Sequence, residues 1–209
     1  MPFNISSFKG NIEKDGYLKN SHYEVFVTPP SFLNQGTIIS AFSELRTSSI
    51  SDSMRFRTQR ITIPGINLKT INARRYGVGP LQKYPISSEF NETVMTILCD
   101  KNGGIWKFWY EWSKFIFDFN GVTDAQTGQT NRTPSYITGY KDDFSSTIII
   151  VQYDNEGNRV MDYELIKSFP VSVAEIPLDW RMGNLTQLNI LINYKEHRMI
   201  STSFERNEQ

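Results

Sequence analysis

The sequence predicts a mainly β fold, an antiparallel β-sandwich or barrel flanked by one α-helix at about residues 104–118. Short alternating or β-branched runs recur along the chain between Gly-, Pro- and Asn-containing breaks, the pattern of an antiparallel sheet. A single segment has helical periodicity, and apolar residues make up 39% of a 209-residue chain, enough for a core without disulfides. That length suits one large β domain, so residues 1–209 are expected to form a single unit.

Residues 1–21 are mixed polar with isolated Phe3, Ile5, Phe8, Ile12 and Tyr17, the pattern of an N-terminal arm that docks on a surface or of a flexible terminus. Tyr23, Val25 and Val27 alternate ahead of Pro29-Pro30, giving a first strand with a hard stop. Residues 31–53 have no clean period and predict an extended loop of the kind that often binds something. Residues 54–63 predict a strand whose apolar parity switches from Met54 and Phe56 to Ile61 and Ile63, as a bulge would produce.

An excursion follows: Ile63-Pro64-Gly65-Ile66-Asn67-Leu68, then Arg74-Arg75-Tyr76-Gly77-Val78-Gly79-Pro80 and Lys83-Tyr84-Pro85. Glycine opens backbone angles closed to other residues and proline removes a hydrogen-bond donor, so ordering this stretch is costly in entropy. Such a segment is shaped to meet something outside its own core. Arg74, Arg75, Tyr76, Gly77 and Pro80 are its candidate contact residues.

Residues 93–99 predict a strand ended by Asp100-Lys101-Asn102-Gly103-Gly104. In the helix, Ile105, Phe108, Trp109, Trp112 and Ile116 fall on one face, while Trp106, Tyr110 and Phe117 make a second stripe beside it. At 100° per residue the apolar sector spans roughly 220°, about twice what packing on one sheet needs. Trp106, Tyr110 and Phe117 are therefore contact candidates, for another subunit or for the chain's own loops. Residues 120–138 predict a second extended loop. Residues 147–153 and 160–166 flank a turn whose Gly157 suits positive φ, a hairpin signal; strands at 171–180 and 187–194 and a polar C-terminal tail at 195–209 complete the chain.

The chemistry of catalysis is not visible in the pattern. His22 and His197 lie at opposite ends with no Cys or carboxylate at metal spacing and read as solvated or capping residues, and the lone Cys99 reads as a small core hydrophobe. Asp142-Asp143 fits a turn or strand entry, Gly77-x-Gly79 is followed by Pro80 rather than by a helix N-terminus, and Asn131-Arg132-Thr133 is a glycosylation acceptor only formally. No catalytic, cofactor or metal residue is assigned, and an enzyme is not expected. With 22 basic against 22 acidic residues, bulk attraction to nucleic acid or anionic membrane is not indicated, although Arg55, Arg57, Arg60, Arg74 and Arg75 concentrate positive charge locally. Pairing of these arginines with carboxylates across a subunit boundary fits better than a nucleic-acid surface. The start lacks signal-peptide order and no apolar run approaches the ~20 residues of a membrane span, which predicts a soluble, cytosol-like chain.

In collinear order, Phe3-Asn4-Ile5-Ser6-Ser7-Phe8, the Pro-Gly and Arg-Arg-Tyr-Gly-Val-Gly-Pro segments, residues 93–100, the helix from Trp106 to Trp112, Tyr140-Lys141-Asp142-Asp143-Phe144, Tyr153-Asp154-Asn155-Glu156-Gly157, and Phe169-Pro170 before Leu178-Asp179-Trp180 make the chain resemble the tail tube family of contractile-tailed bacteriophages. That family is related to the tubes of other contractile injection machines. The resemblance implies a structural virion protein forming hexameric rings that share an inner β barrel and stack into a conduit for DNA ejection. It implies self-contacts, an outer helix meeting neighbours or the tail sheath protein, baseplate and tail terminator partners, and a lumen that holds the tape measure protein and phage DNA weakly, with assembly in the host cytoplasm. The chain is longer than compact tube subunits around residues 31–53 and 120–135, which leaves open a baseplate protein that initiates the tube. From another class, a monomeric β-barrel module binding a ligand through Trp109 and Trp112 also stays open.

Overall fold

A computed structural model describes residues 16–30, 47–74, 77, 79–117, 138–181, 183 and 185–201. Most of the predicted N-terminal arm and of the two long loops, and Arg75 and Tyr76, lie outside the described residues.

Among the described residues nine strands form, antiparallel wherever they pair. β1 (Tyr23–Val27) pairs with β6 (Ser146–Tyr153), and β6 with the first part of β7 (Arg159–Val173). The expected hairpin joins them, with Gly157 at φ 83. On the other side of β7 lie β9 (Glu196–Ser201), registered Met161↔Ser201 to Ile166↔Glu196, and β8 (Gln187–Asn193), registered Phe169↔Asn193 to Val173↔Ile190. β8 and β9 thus run end to end along one long strand. Where they meet, Lys167 has φ 52, a left-handed conformation that bends β7. β8 continues to β5 (Thr93–Leu98), which pairs with β2 (Thr58–Ile61).

The bend divides this ladder into two sheets with a shared interior, since strands that switch sheets through bends form the corners of such packings. Val25, Val27, Ile148, Ile150 and Leu165 from one sheet meet Met95, Ile97, Leu188, Ile190 and Ile192 from the other in a single buried cluster. β1 and β2 end the ladder without pairing to each other, so the predicted sandwich or barrel is an open sandwich.

Three helices are described rather than the one predicted. α1 (Thr47–Arg57) occupies residues expected to be loop and strand. Met54 is its fully buried anchor while Phe56 is exposed, so the Met54/Phe56 parity reflects a helix, and the apparent parity switch is a helix-to-strand junction at Thr58. Ser51 Oγ donates to Val27 O at 2.7 Å, and the Arg55 guanidinium donates twice to Glu24 Oε2, at 2.9 and 2.7 Å, clamping α1 against β1.

α2 (Gly104–Ile116) matches its prediction and buries Ile105, Phe108, Trp109 and Trp112. Trp109 and Trp112 stack with centroids 5.2 Å apart, and Phe108 stands edge-on to both. The Trp112 indole N–H donates to Phe144 O at 2.8 Å, tying α2 to the short α3 (Lys141–Phe144). Asp142 and Asp143 are therefore on a helical turn, where Asp142 pairs with Lys167. Ahead of α2, the Asp100 carboxylate accepts the N–H groups of Gly104 and Ile105, each at 3.0 Å. Burial pushes this carboxyl up, but the backbone N–H groups of Ile105, Gly104 and Asp100 itself, with the charge of Arg57, together outweigh that and hold it below its usual range.

Two other expectations change. The predicted strand at 171–180 ends at Val173, and residues from the predicted tail, Glu196–Ser201, form β9. That tail has alternating His197, Met199 and Ser201 along an edge of β7, a pattern short enough to pass for polar coil.

A carboxyl depressed in the folded state stabilises above its unfolded pKa and loses that contribution as pH falls through the folded value. Asp100→Ala is expected to lower unfolding free energy by about 0.5–2 kcal/mol at neutral pH, and the gap from the native chain should shrink below about pH 4, read by denaturant titration across pH. Trp112→Phe, which keeps a ring but removes the donor to Phe144, should cost about 1–3 kcal/mol in the same titration.

Candidate assembly surface

The Pro/Gly-flanked excursion is a hairpin. β3 (Ile66–Ala73) pairs with β4 (Gln82–Phe90) as a separate two-stranded sheet. Its register sets Ile66 opposite Phe90 and Leu68 opposite Ser88, then shifts between Lys69 and Thr70, so that Pro85 opposes Thr70 and Tyr84 opposes Ile71. Pro85 is tolerated because both strands are edges, where a missing N–H need not break a ladder.

Side chains alternate across a ribbon, so Ile66 and Leu68 occupy one face and Ile71 with Tyr84 the other. Ile66, Leu68, Ile71, Leu81, Tyr84 and Ile86 are each at least half exposed. A two-stranded ribbon cannot bury both of its own faces, and an isolated one is marginal in water. Contiguous exposed apolar surface of this kind marks an interaction site. Polar contacts within the ribbon are modest: Lys69 pairs with Glu89, and Tyr84 donates to Gln82.

The tip carries the sequence-predicted contact residues that are described. Arg74 and Pro80 are exposed, and Gly77 donates its N–H to Arg74 O at 3.3 Å with φ 73, an angle that selects glycine. Gly79, at φ 100, turns the chain back toward β4.

At the base, Thr62 N–H donates to Val94 O at 3.1 Å, and Asn67 Nδ2 donates to Asn91 Oδ1 at 3.1 Å. Phe90 packs edge-on against His197 at 5.1 Å and against Tyr194 at 6.1 Å, while the Tyr194 hydroxyl donates to Asn91 O at 2.7 Å. His197 is thus part of an aromatic clamp at the hairpin base, rather than the solvated or capping residue expected from its sequence position.

The helix candidates lie elsewhere. Trp106 and Tyr110 stack at 5.1 Å on the outer flank of α2, with Trp106 38% exposed, and Phe117 ends the helix, bridged to Thr138. The hairpin leaves the start of β5, and α2 begins just after its end, so one subunit does not bring the two groups together. Beside Trp106 and Tyr110 an open cleft of about 1050 Å³ extends to the connection between β7 and β8. There Leu178 and Leu185 are largely exposed and Trp180 is fully so. These three were not singled out as contact residues, nor were Ile66, Leu68, Ile71 and Ile86. The legible signal was their polar setting: apolar residues isolated among Pro, Asp, Arg and Gly have no neighbours in sequence to share a face with.

Cys99 also lines this cleft. Burial first, and then the Asp100 carboxylate, push its thiol up, away from the thiolate form a nucleophile needs. Among the described residues no cluster of His, Cys, Asp or Glu is arranged to hold a metal ion, and no helix is long and apolar enough to cross a membrane.

A family model described as phage tail tube protein matches residues 18–200. No curated protein matches the chain. Among solved structures, a chain of the extracellular contractile injection system PVC sheath-tube complex in the extended state superposes with a TM-score of 0.57 at 14% identity, covering 92% of this chain and 97% of that one. A chain of the anti-feeding prophage tube-terminating cap gives 0.56 at 13% identity, covering 89% and 92%, and one from the PVC sheath/tube terminator gives 0.54 at 14% identity, covering 90% and 99%.

If the hairpin lies outside the subunit's own core, Ile71→Asp with Tyr84→Asp should change the unfolding free energy of the isolated subunit by less than about 0.5–1 kcal/mol, whereas Ile190→Ala in the core should cost about 2–5 kcal/mol. Denaturant midpoints of the two variants measure the contrast; equal losses would place the hairpin within the cooperative fold.

Proposed function

The chain belongs to the phage tail tube protein family, and on that premise we propose that it is the repeating subunit of the inner tube of a contractile phage tail, built from hexameric rings that stack into a conduit for DNA ejection. Its role is structural, not catalytic. The observation that carries this reading is the β3–β4 hairpin, whose apolar residues on both faces are exposed and find no seat among the described residues, a surface that neighbouring copies would cover.

The single folded unit of residues 1–209 is the building block in this reading. The ends of the ladder, β1 and β2, pair with no further strand among the described residues, and adjoining subunits in a ring would close them, which removes an aggregation hazard. The exposed face of β2, β5 and β8 supports a channel role. Thr96 donates to Asn189 at 2.7 Å and Gln187 to Gln59 at 2.9 Å beside Val94, a polar face on which Arg60, registered opposite Thr96, is the charged residue of β2, so DNA would meet hydrogen-bonding groups with little phosphate neutralisation to hold it.

Trp106, Tyr110 and Phe117 on the outer flank of α2 are assigned to contacts with neighbouring subunits or the tail sheath protein, and Arg74, Arg75, Tyr76, Gly77 and Pro80 to contacts with another copy. Baseplate and tail terminator proteins would cap the ends of the tube, and the tape measure protein and DNA would occupy its lumen without tight binding. Assembly takes place in the host cytoplasm and the product resides in the virion tail.

Mass measurement and negative-stain microscopy of the purified chain are expected to show rings or tubes; a strictly monomeric species at high concentration, alone and beside tail proteins, would sink the proposal. Arg75→Glu, or Gly77→Val with a β-branched residue forced to φ 73, should abolish tubes while circular dichroism stays native. Copy number per virion separates a repeating subunit, present in many rings, from a baseplate initiator of the same fold, present in one.

A further inference from the structure

We propose that α1 is an autoinhibitory cover: in the free subunit it lies along the outer edge of β1, and it is displaced when β2 of a second copy pairs there. The inference rests on the ring reading and concerns what holds that assembly back in the free subunit.

The position of the cover follows from how α1 meets β1. Tyr153 N–H donates to His22 O at 2.9 Å and Thr28 N–H to Thr147 O at 3.1 Å, so the backbone groups of the alternate residues Glu24 and Phe26 also point to β6. Those of Tyr23, Val25 and Val27 point the other way, along the edge. Side chains alternate between the faces of the strand, with Val25 and Val27 in the core and Glu24 and Phe26 on the outer face. Met54 joins Val25 and Val27 in the core, whereas its neighbour Arg55 binds Glu24 and lies 4.7 Å over the Phe26 ring. One turn earlier, Ser51 Oγ donates to Val27 O, a carbonyl on the edge itself. Successive helix residues that reach opposite faces of one strand place the helix astride its edge.

The cover is held lightly and has a hinge. Among the described side chains of α1 Met54 alone is buried, and Phe56 is exposed. The polar hold centres on Glu24 Oε2, which accepts Arg55 and, at 2.9 Å, the Tyr153 hydroxyl. Where α1 runs into β2, the register of β2 shifts between Thr58 and Arg60, an irregularity that lets the chain change direction.

The occupant is named by geometry and charge. β1 and β2 are the two ends of one ladder, so β2 of one copy on β1 of the next continues the sheet head to tail, a contact that repeats around a ring. With the core faces aligned, Ile61 of β2 points inward and exposed Arg60 points outward beside Glu24, where it replaces Arg55. Of the other charges near this carboxylate, Arg159 is already paired with Asp162, and Asp52 moves away with α1. On the β2 side, Arg57 is engaged with Cys99 O at 3.4 Å. One cation is thus exchanged for another, and the edge of β1 gains a strand in place of a helix.

Hydrogen exchange read by mass spectrometry on native subunits and native rings tests the cover. Peptides spanning Ser51–Arg57 should lose protection in rings, and peptides spanning Tyr23–Val27 should gain it. Arg55→Gln, which loosens the cover and leaves Glu24 and Arg60 in place, should shorten the lag before rings form by about two- to fivefold in light scattering. Glu24→Arg with Arg55→Glu rebuilds the cover with its charges exchanged but sets a cation against Arg60. That chain should fold as native by circular dichroism and lose about tenfold in ring yield, and adding Arg60→Glu should recover most of it. The exchange measurement needs no variant and decides the matter if the charge-exchanged chain does not fold. Undiminished protection of α1 in rings, an unchanged lag for Arg55→Gln, or a ring yield that Arg60→Glu does not restore would overturn the cover, while native rings leave the ring reading standing. A native chain that never leaves the monomeric state would overturn both.

Discussion

Everything in the subunit hangs on β7 serving two sheets at once. At fifteen residues it is far longer than any other strand, and β9 and β8 follow it in succession on one side. A strand this long cannot stay flat against one core, and the left-handed Lys167 is where it turns. The bend folds the ladder so that Leu165 before it and the β8 residues Ile190 and Ile192 after it point into one interior. The Trp109–Trp112 stack joins the same buried cluster, and the bond from Trp112 to Phe144 secures the chain as it returns to β6.

Because that frame orients β5, it also orients what is attached to either end of β5. The hairpin issues from one end through short links held by Thr62, Asn91 and the Phe90–Tyr194–His197 cluster, and the cleft lies at the other end, next to the capped start of α2. Packing in the core thereby fixes the direction in which the hairpin projects. The clamp matters more than its size suggests, since a ribbon gripped near its base transmits rotation there to its tip with the leverage of its length.

Strand existence and the main helix were legible wherever the chain buries one face, because burial writes period into sequence: Val25/Val27, Ile148/Ile150 and Leu188/Ile190/Ile192 alternate as they must. The hairpin was not legible as a hairpin. Its residues serve partners on both faces, so apolar positions appear at Ile66 and Leu68 and then at Ile71, out of phase, and Pro85 disguises β4 further. What could be read was that the segment answers to something beyond its own core. α1 failed for a related reason: among its described side chains Met54 alone is buried, too few to establish a period, and its docking depends on Arg55 reaching Glu24, a partner distant in sequence. Of the contact candidates, the tip residues were legible from glycine and arginine chemistry. Leu178, Trp180 and Leu185 went unassigned because an extended connection has no period to violate.

Exposed apolar side chains on a free subunit ordinarily invite aggregation, and the arrangement here channels that tendency. Burying one such side chain fully is worth about 1.5–3 kcal/mol, while bringing two bodies together costs an estimated 4–15 kcal/mol. A single hairpin covered by one neighbour, with four or so side chains partly buried, would thus be a weak contact. In the proposed ring, several hairpins would meet neighbouring copies at fixed spacing, and once the first is seated the others would bind at high effective concentration. On that proposal the cost of association falls once per ring rather than once per subunit, so growth by rings is favoured over random pairing of free subunits, and the surface that endangers a monomer becomes selective for an ordered, open-ended stack.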